Sequence, residues 1–185
     1  MIRYFGPVLI FLFFTGSAYA QRLQTCEGKA QGTYYIIKYL RADTASLQHR
    51  IDSIFEVIDL SLSLYRPGSL INRFNAGDSI RMDAHMQAVV QRALEVSKAT
   101  NGAFDITIKP LGRAWGFGVI KPAWKSVPPG DTLQQRLKRT GYRYLQIKGA
   151  SLIKLKPGVE IDCNGIAQGY TVDVLARFLV QQGID

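Results

Sequence analysis

The sequence predicts a mixed α+β fold, and three observations predict it. Apolar residues recur at helical spacing in separated segments. Runs rich in Tyr, Ile and Leu, bounded by Gly and Pro, read as strands. The order is strand, helix, helix, irregular loop, strands, helix, which is not the alternation of a βαβ fold. The chain has 185 residues and is 47% apolar, with nine Tyr, nine Phe and two Trp. That is enough for one domain with a core, and too aromatic for a disordered chain.

The first twenty residues stand apart. Arg3 gives a basic start, "VLIFLFF" is a short apolar run, and "SAYAQ" places small residues at Ala18 and Ala20. This is the pattern of a secretory signal peptide cleaved between Ala20 and Gln21. The apolar run is far shorter than the roughly 20 residues of a membrane span. Gln21, not Cys, stands directly after the cleavage point, and Cys26 lies too far along, which argues against a lipoprotein. The domain is therefore expected over residues 21–185, after a leader at 1–20.

"GTYYIIKYL" reads as the first strand, with Lys38 facing solvent. Leu47, Ile51, Ile54, Phe55, Ile58 and Leu62 then predict an amphipathic helix over about residues 44–60. Pro67-Gly68 and the polar stretch 75–78 break it. Asp83 is placed to cap a second helix. Its inward face is Met86, Val89, Val90, Ala93, Leu94 and Ser97, and it stops at Asn101-Gly102. Residues 102–118 are Gly-dense and irregular, and "KPAWKSVPPGD" is a Pro-rich connection. Residues 131–141 suit a short helix. "YRYLQIKG", "SLIKLKPG" and "VEID" suit three strands. The last helix is expected over residues 166–182, with Gly183 beyond its end.

The formal net charge is +9, and losing the leader removes Arg3 and no acid, leaving +8. The longest basic cluster is "RLKR" at residues 136–139, which reads as a solvated basic surface rather than a nucleic-acid stripe. Cys26 and Cys163 leave a disulfide possible without indicating one. Cys163 suits a small buried position. Two His and no paired Cys give no zinc pattern.

The chemistry concentrates in "DCNGIAQGYTVD", residues 162–173. Asp162 is expected at a strand end, Asn164-Gly165 as a turn tolerating positive φ, and then a helix N-terminus. Such a terminus presents unpaired N–H groups suited to phosphate. Gly165 and Gly169 allow a ligand close to the backbone. On spacing alone the segment also fits a plain structural turn.

This segment resembles the D-x-x-x-I-A-K-G-Y-x-x-D signature of the FAD:protein FMN transferases, the ApbE family. "QGTYY", "SLYRPGSLINRFN" and "NGAFDITIKPLGRAWGFG" resemble further family motifs, in the family's order. The matches run from Gln31 to Asp185. The resemblance implies an α+β fold peculiar to the family and Mg2+-dependent transfer of the FMN half of FAD to a Thr or Ser hydroxyl, with AMP leaving. It implies acceptors that are exported or membrane flavoproteins, such as subunits of sodium-pumping NADH:quinone reductase, and a place at or outside the inner membrane.

By the same resemblance Tyr65 matches the flavin-stacking position. Ala103, Phe104 and Asp105 match the segment touching the adenine-ribose part. Asp162 and Gln168 match FAD-contacting positions, and Gly165 the one whose backbone carbonyl binds Mg2+. Gln31 stands where the family usually has a flavin-contacting Met, and Gln168 where Lys is common. Trp115 and Phe117 are read as packing residues. The family continues past the point corresponding to Asp185, so the chain is expected to be an N-terminal part of such an enzyme and inactive alone. The rival expectation is a secreted flavin binder without catalysis.

Overall fold

The computed structural model describes residues 21–118 and 127–184. The expected leader and cleavage point fall outside the described residues, as does most of the Pro-rich connection.

An antiparallel hairpin comes first, β1 (Arg22–Ala30) and β2 (Thr33–Arg41). It turns at Gln31-Gly32, both at positive φ. The first strand was not expected, because "RLQTCEGKA" is polar and buries only Cys26 fully. It is a strand through pairing with the Tyr- and Ile-rich β2, not through a pattern of its own.

Helix α1 (Gln48–Leu62) buries Ile51, Phe55 and Ile58, as its spacing requires. Its start is later than expected, because Leu47 and the residues before it form the approach to the helix. The segment expected to be only a break contains a short helix, α2 (Leu70–Ala76), and a short strand, β3 (Ser79–Arg81). The Ser69 side chain accepts from the Asn72 N–H and starts α2, which drives Ile71 and Phe74 into the core. Helix α3 (Ala84–Ala99) begins where Asp83 caps it, accepting from the Met86 N–H at 2.8 Å. It ends before Asn101 and Gly102, both at positive φ, where Gly pays no steric penalty.

Residues 102–118 are less irregular than their composition suggests. A 3-10 turn, Ile106–Ile108, leads into α4 (Lys109–Ala114), with Pro110 in the first turn, where its missing N–H costs nothing. Then come α5 (Gly130–Leu137), a 3-10 turn at Tyr142–Tyr144, β4 (Leu145–Lys148), β5 (Ser151–Lys154) and α6 (Asn164–Gln181). The order of the second sheet is β3-β5-β4, all antiparallel.

The expected third strand, "VEID", is not a strand. Its backbone is paired with a side chain instead of a ladder. Ile161 N–H donates to Asn75 Oδ1 at 2.7 Å, Asn75 Nδ2 donates to Ile161 O at 2.9 Å, and Asp162 N–H donates to Ile106 O at 2.7 Å. Val159, Ile161 and Cys163 still alternate inward and are fully buried. The alternation misled because extended backbone and ladder pairing are separate things.

Two apolar clusters result. The larger joins α2, α3, β5 and the 159–167 segment around Phe74, Met86, Leu152 and Ile161. The smaller seats the hairpin against α1 and the C-terminal half of α6, through Tyr39, Ile51, Phe55 and Phe178. Helix α6 therefore spans both clusters, which fixes its N-terminus rigidly. Cys26 and Cys163 are both buried and free, and burial pushes the Cys163 thiol up to about 12. No helix among the described residues is long and apolar enough to cross a membrane.

Candidate functional site

The site is built around the start of α6. Asp162 is its anchor: Oδ1 accepts from Asn164 N–H at 2.8 Å, turning the chain from the extended segment straight into the helix. The expected left-handed turn at Asn164-Gly165 does not form. Both residues are helical, and neither has positive φ. Gly165 serves another purpose, since a Cβ there would sit 3.4 Å from the Phe104 ring. The residue preceding the helix, Cys163, makes no side-chain cap.

Three cavities meet at this point, and Asn164 lines all of them. One, of about 670 Å3, lies between Tyr65, Lys109, Arg113, Trp115 and Phe117, with Asp162 at its base. A second, of about 910 Å3, is bounded by Gln31, Ser63, Tyr65, Arg66 and Gln168. A third, of about 600 Å3, is bounded by Ala103, Phe104, Asp105, Leu137 and Gly165. All eight residues singled out from the sequence line one or more of these spaces, though they come from four separate stretches of chain.

Each wall has a local cause. Tyr65 is 62% exposed on the loop between α1 and α2. Asn72 holds that loop by donating to Leu64 O at 3.1 Å and Arg66 O at 2.9 Å, while Ser69 Oγ donates to Ser63 O at 2.8 Å. Arg66 is tied back to Glu56 at 2.6 Å. Gln31, at the hairpin turn, donates through Nε2 to Thr171 Oγ1 at 2.8 Å, which docks the hairpin on α6 and leaves Gln168 exposed beside it. Trp115 and Phe117, expected to pack, are 52% and 74% exposed on the rim. The short α4 ends at Ala114, so the two rings beyond it have no helix to fold them inward.

Asp105 has a structural task. Its carboxylate accepts from Thr107 N–H at 2.8 Å, Thr107 Oγ1 at 2.7 Å and Tyr142 N–H at 2.6 Å, and so clamps the 102–108 segment to the turn after α5. Phe104 and Ala103 are positioned by that clamp. Lys109 and Arg113, one turn apart on α4, both reach Glu160, at 3.1 and 2.5 Å. Burial pushes the Glu160 carboxyl up, but Lys109 and Arg113 more than reverse this and hold it below the usual carboxylate range. Burial also pushes up the Asp59 carboxyl, on the wall of the second cavity.

Lys109, Arg113, Asn72 and Asn164 were missed as site residues. Lys109 and Arg113 carried a signal, their i,i+4 spacing, but their partner Glu160 is distant in sequence. Asn164 was read only as a turn residue. Among the described residues no group of three or more His, Cys, Asp or Glu could hold a metal ion. The Asp162 carboxylate is the acidic donor near the helix start, whereas the Gly165 carbonyl, expected to bind Mg2+, belongs to a helical residue and points along α6. One carboxylate suits Mg2+ only together with phosphate oxygens, the arrangement Mg2+ commonly adopts.

Known proteins resemble this chain along most of its length. Residues 31–185 match the model of the ApbE family. A FAD:protein FMN transferase of Vibrio cholerae is 36% identical over 166 residues, covering 85% of this chain and 49% of that protein. The Escherichia coli K12 protein of the same name is 29% identical over 191 residues, covering 94% of this chain and 54% of that protein. Among solved structures, the flavin transferase ApbE from Vibrio cholerae superposes with a TM-score of 0.83 at 34% identity, over 89% of this chain and 55% of that one. The apo flavinyl transferase ApbE of Pseudomonas stutzeri gives 0.83 at 29% identity, over 92% and 55%. The chain spans about half the length of the relatives it matches.

Proposed function

The chain belongs to the ApbE family, and from that membership we propose that the protein takes part in moving the FMN half of FAD onto a hydroxyl of an acceptor flavoprotein, with AMP as the leaving product. The observation that carries the proposal is the meeting of three cavities at Asn164, walled by an exposed Tyr, an exposed Trp-Phe rim, two amides and a helix N-terminus. A flat aromatic ligand with a polyanionic linker suits such a surface.

The chain's own residues divide the work. Tyr65 stacks on the isoalloxazine, and such pairs contribute about 0.5–1.5 kcal/mol beyond the area buried. The first-turn N–H groups of α6 face the pyrophosphate, a charge–dipole contact of about 0.3–2 kcal/mol. Gln31 and Gln168 offer amides along the same wall. Ala103 and Phe104, held by Asp105, flank the adenine-ribose end. Phosphoryl transfer needs positioning and charge neutralisation more than a covalent nucleophile. Mg2+ would supply part of that neutralisation, with Asp162 as this chain's acidic donor. The acceptor hydroxyl belongs to a Thr or Ser of an exported or membrane protein, and flavin-carrying subunits of sodium-pumping NADH:quinone reductase are of that class. Export through residues 1–20, with cleavage after Ala20, would bring the protein to the compartment of such acceptors.

The test is AMP release from FAD with Mg2+ and an acceptor carrying a Thr, read together with covalent flavin fluorescence on the acceptor, for this chain and for this chain joined to the remaining half of the Vibrio cholerae relative, of which it covers 49%. AMP and labelled acceptor in equal amounts support the proposal. Saturable FAD binding with no AMP under any acceptor would identify a flavin binder without transfer activity.

A further inference from the structure

The charge of this protein is not spread evenly. Residues 132–159 contain seven Lys and Arg and no Asp or Glu, whereas the rest of the chain has 16 bases against 14 acids. Nearly the whole excess of positive charge therefore lies in 28 residues, which the fold gathers as α5, the turn after it, β4 and β5.

The bases are open to solvent and surround aromatic rings. Lys138, Arg139, Arg143 and Lys148 are exposed and Lys156 half-exposed. None of the five makes an ion pair with a described carboxylate. The Arg143 guanidinium lies 5.1 Å from the Tyr142 ring centre, and Lys156 Nζ lies 4.6 Å from that of Tyr144. Arg139 packs its side chain against Gly158, two residues beyond Lys156. These contacts draw residues from both ends of the segment onto one face.

Two leucines sit among the bases. Leu137, between Arg136 and Lys138, is 55% exposed, and Leu155, between Lys154 and Lys156, is 57% exposed. Leu155 is presented by its backbone, whose N–H donates to Tyr144 O at 2.8 Å. Exposed leucines beside these bases add an apolar contact that a purely ionic surface lacks. The combination of cations, tyrosines with polar tips and isolated exposed leucines matches an interface where charged headgroups overlie hydrocarbon.

We infer that the face formed by residues 136–144 and 154–158 docks the protein on an anionic phospholipid bilayer, with Lys138, Arg139, Arg143 and Lys156 at the headgroups and Leu155 reaching below them. Near an anionic surface each base contributes on the order of 1 kcal/mol, so several together give reversible attachment.

The test is flotation of the 185-residue protein with vesicles of phosphatidylcholine, with and without about one third phosphatidylglycerol, at about 0.15 M salt, where the charge term is already screened beyond roughly 8 Å. The apolar run at residues 8–14 is present in every variant, so differences report the patch. The expected result is partitioning onto the anionic vesicles about tenfold or more above the neutral ones. The variant Lys138→Glu/Arg143→Glu/Lys156→Glu should lose that preference with an unchanged melting temperature. Leu155→Ser should weaken attachment severalfold and make the remainder more salt-sensitive. Equal partitioning onto both vesicles, or a triple variant that floats like the parent, overturns the inference. So does binding that vanishes at this salt and ignores Leu155→Ser, which would mark a purely ionic face suited to an acidic protein.

Discussion

The two long helices α3 and α6 begin in opposite ways. At α3 the end is closed: Asp83 accepts from Met86 N–H and from Ser61 Oγ, at 2.8 Å each. At α6 the residue before the helix, Cys163, makes no side-chain cap, among the described residues Asp162 accepts from Asn164 N–H alone, and three cavities open in front of it. Both helices are seated in the larger apolar cluster. The difference teaches which parts of this molecule are self-contained and which are left facing outward for a ligand.

The contrast is sharpened most by Asp105, which lies near the open end yet behaves like a closed one. Asp105→Ala removes three accepted hydrogen bonds, two of them from backbone N–H groups, and should destabilise the protein by about 3 kcal/mol. Urea unfolding measures this. An unchanged midpoint with weakened FAD binding would mean that Asp105 belongs to the ligand and not to the clamp.

Next in size is the closed helix end itself. Asp83→Ala should cost about 1–2 kcal/mol through the lost cap, with FAD affinity unchanged at temperatures where the variant is folded. A change in FAD affinity at those temperatures would break the division between the two ends.

The acid limb of stability comes from the wall of the first cavity. The Glu160 carboxyl is held below its usual range, so its pairing stabilises the fold above the ordinary Glu pKa of about 4.3 and is lost as pH falls through the depressed folded value. Stability should drop more steeply below about pH 4 in the parent than in Glu160→Gln. Parallel acid curves for the two proteins would remove Glu160 from this role. The Cys163 thiol, pushed up to about 12 by burial, should resist thiol reagents near pH 8 in the folded protein and react on unfolding.

Much of this was legible in the sequence, for physical reasons. The apolar face of α3 and its Asp83 cap are local signals, and both appear as read. The same holds for α1 within a turn, and for the β4–β5 hairpin. Most of what was missed depended on partners elsewhere in the chain, α2 being the exception with its own adjacent cap. Strand β1 exists because β2 pairs with it, and α2 because Ser69 caps a stretch that Pro67-Gly68 seemed to end. "VEID" looked like a strand, but Asn75, 86 residues away from Ile161, takes its hydrogen bonds. The likeness of motifs brought together Gln31, Tyr65, Phe104, Asp162 and Gln168, which no spacing along the chain could have joined. It did not reveal that Gly165 is helical, nor that Lys109 and Arg113 line the same wall, because those facts arise from packing against Phe104 and Glu160.

The central claim is that the open end of α6 and its aromatic wall form the flavin site, and one measurement tests it most directly. FAD fluorescence is titrated with the parent protein, with Tyr65→Ala and with Asp83→Ala, each checked for folding by circular dichroism. Saturable binding by the parent is expected, with affinity about fivefold weaker in Tyr65→Ala, the equivalent of roughly 1 kcal/mol of stacking, and unchanged in Asp83→Ala. If folded Tyr65→Ala bound FAD as tightly as the parent, the flavin would not lie at this wall and the account of the site would be wrong.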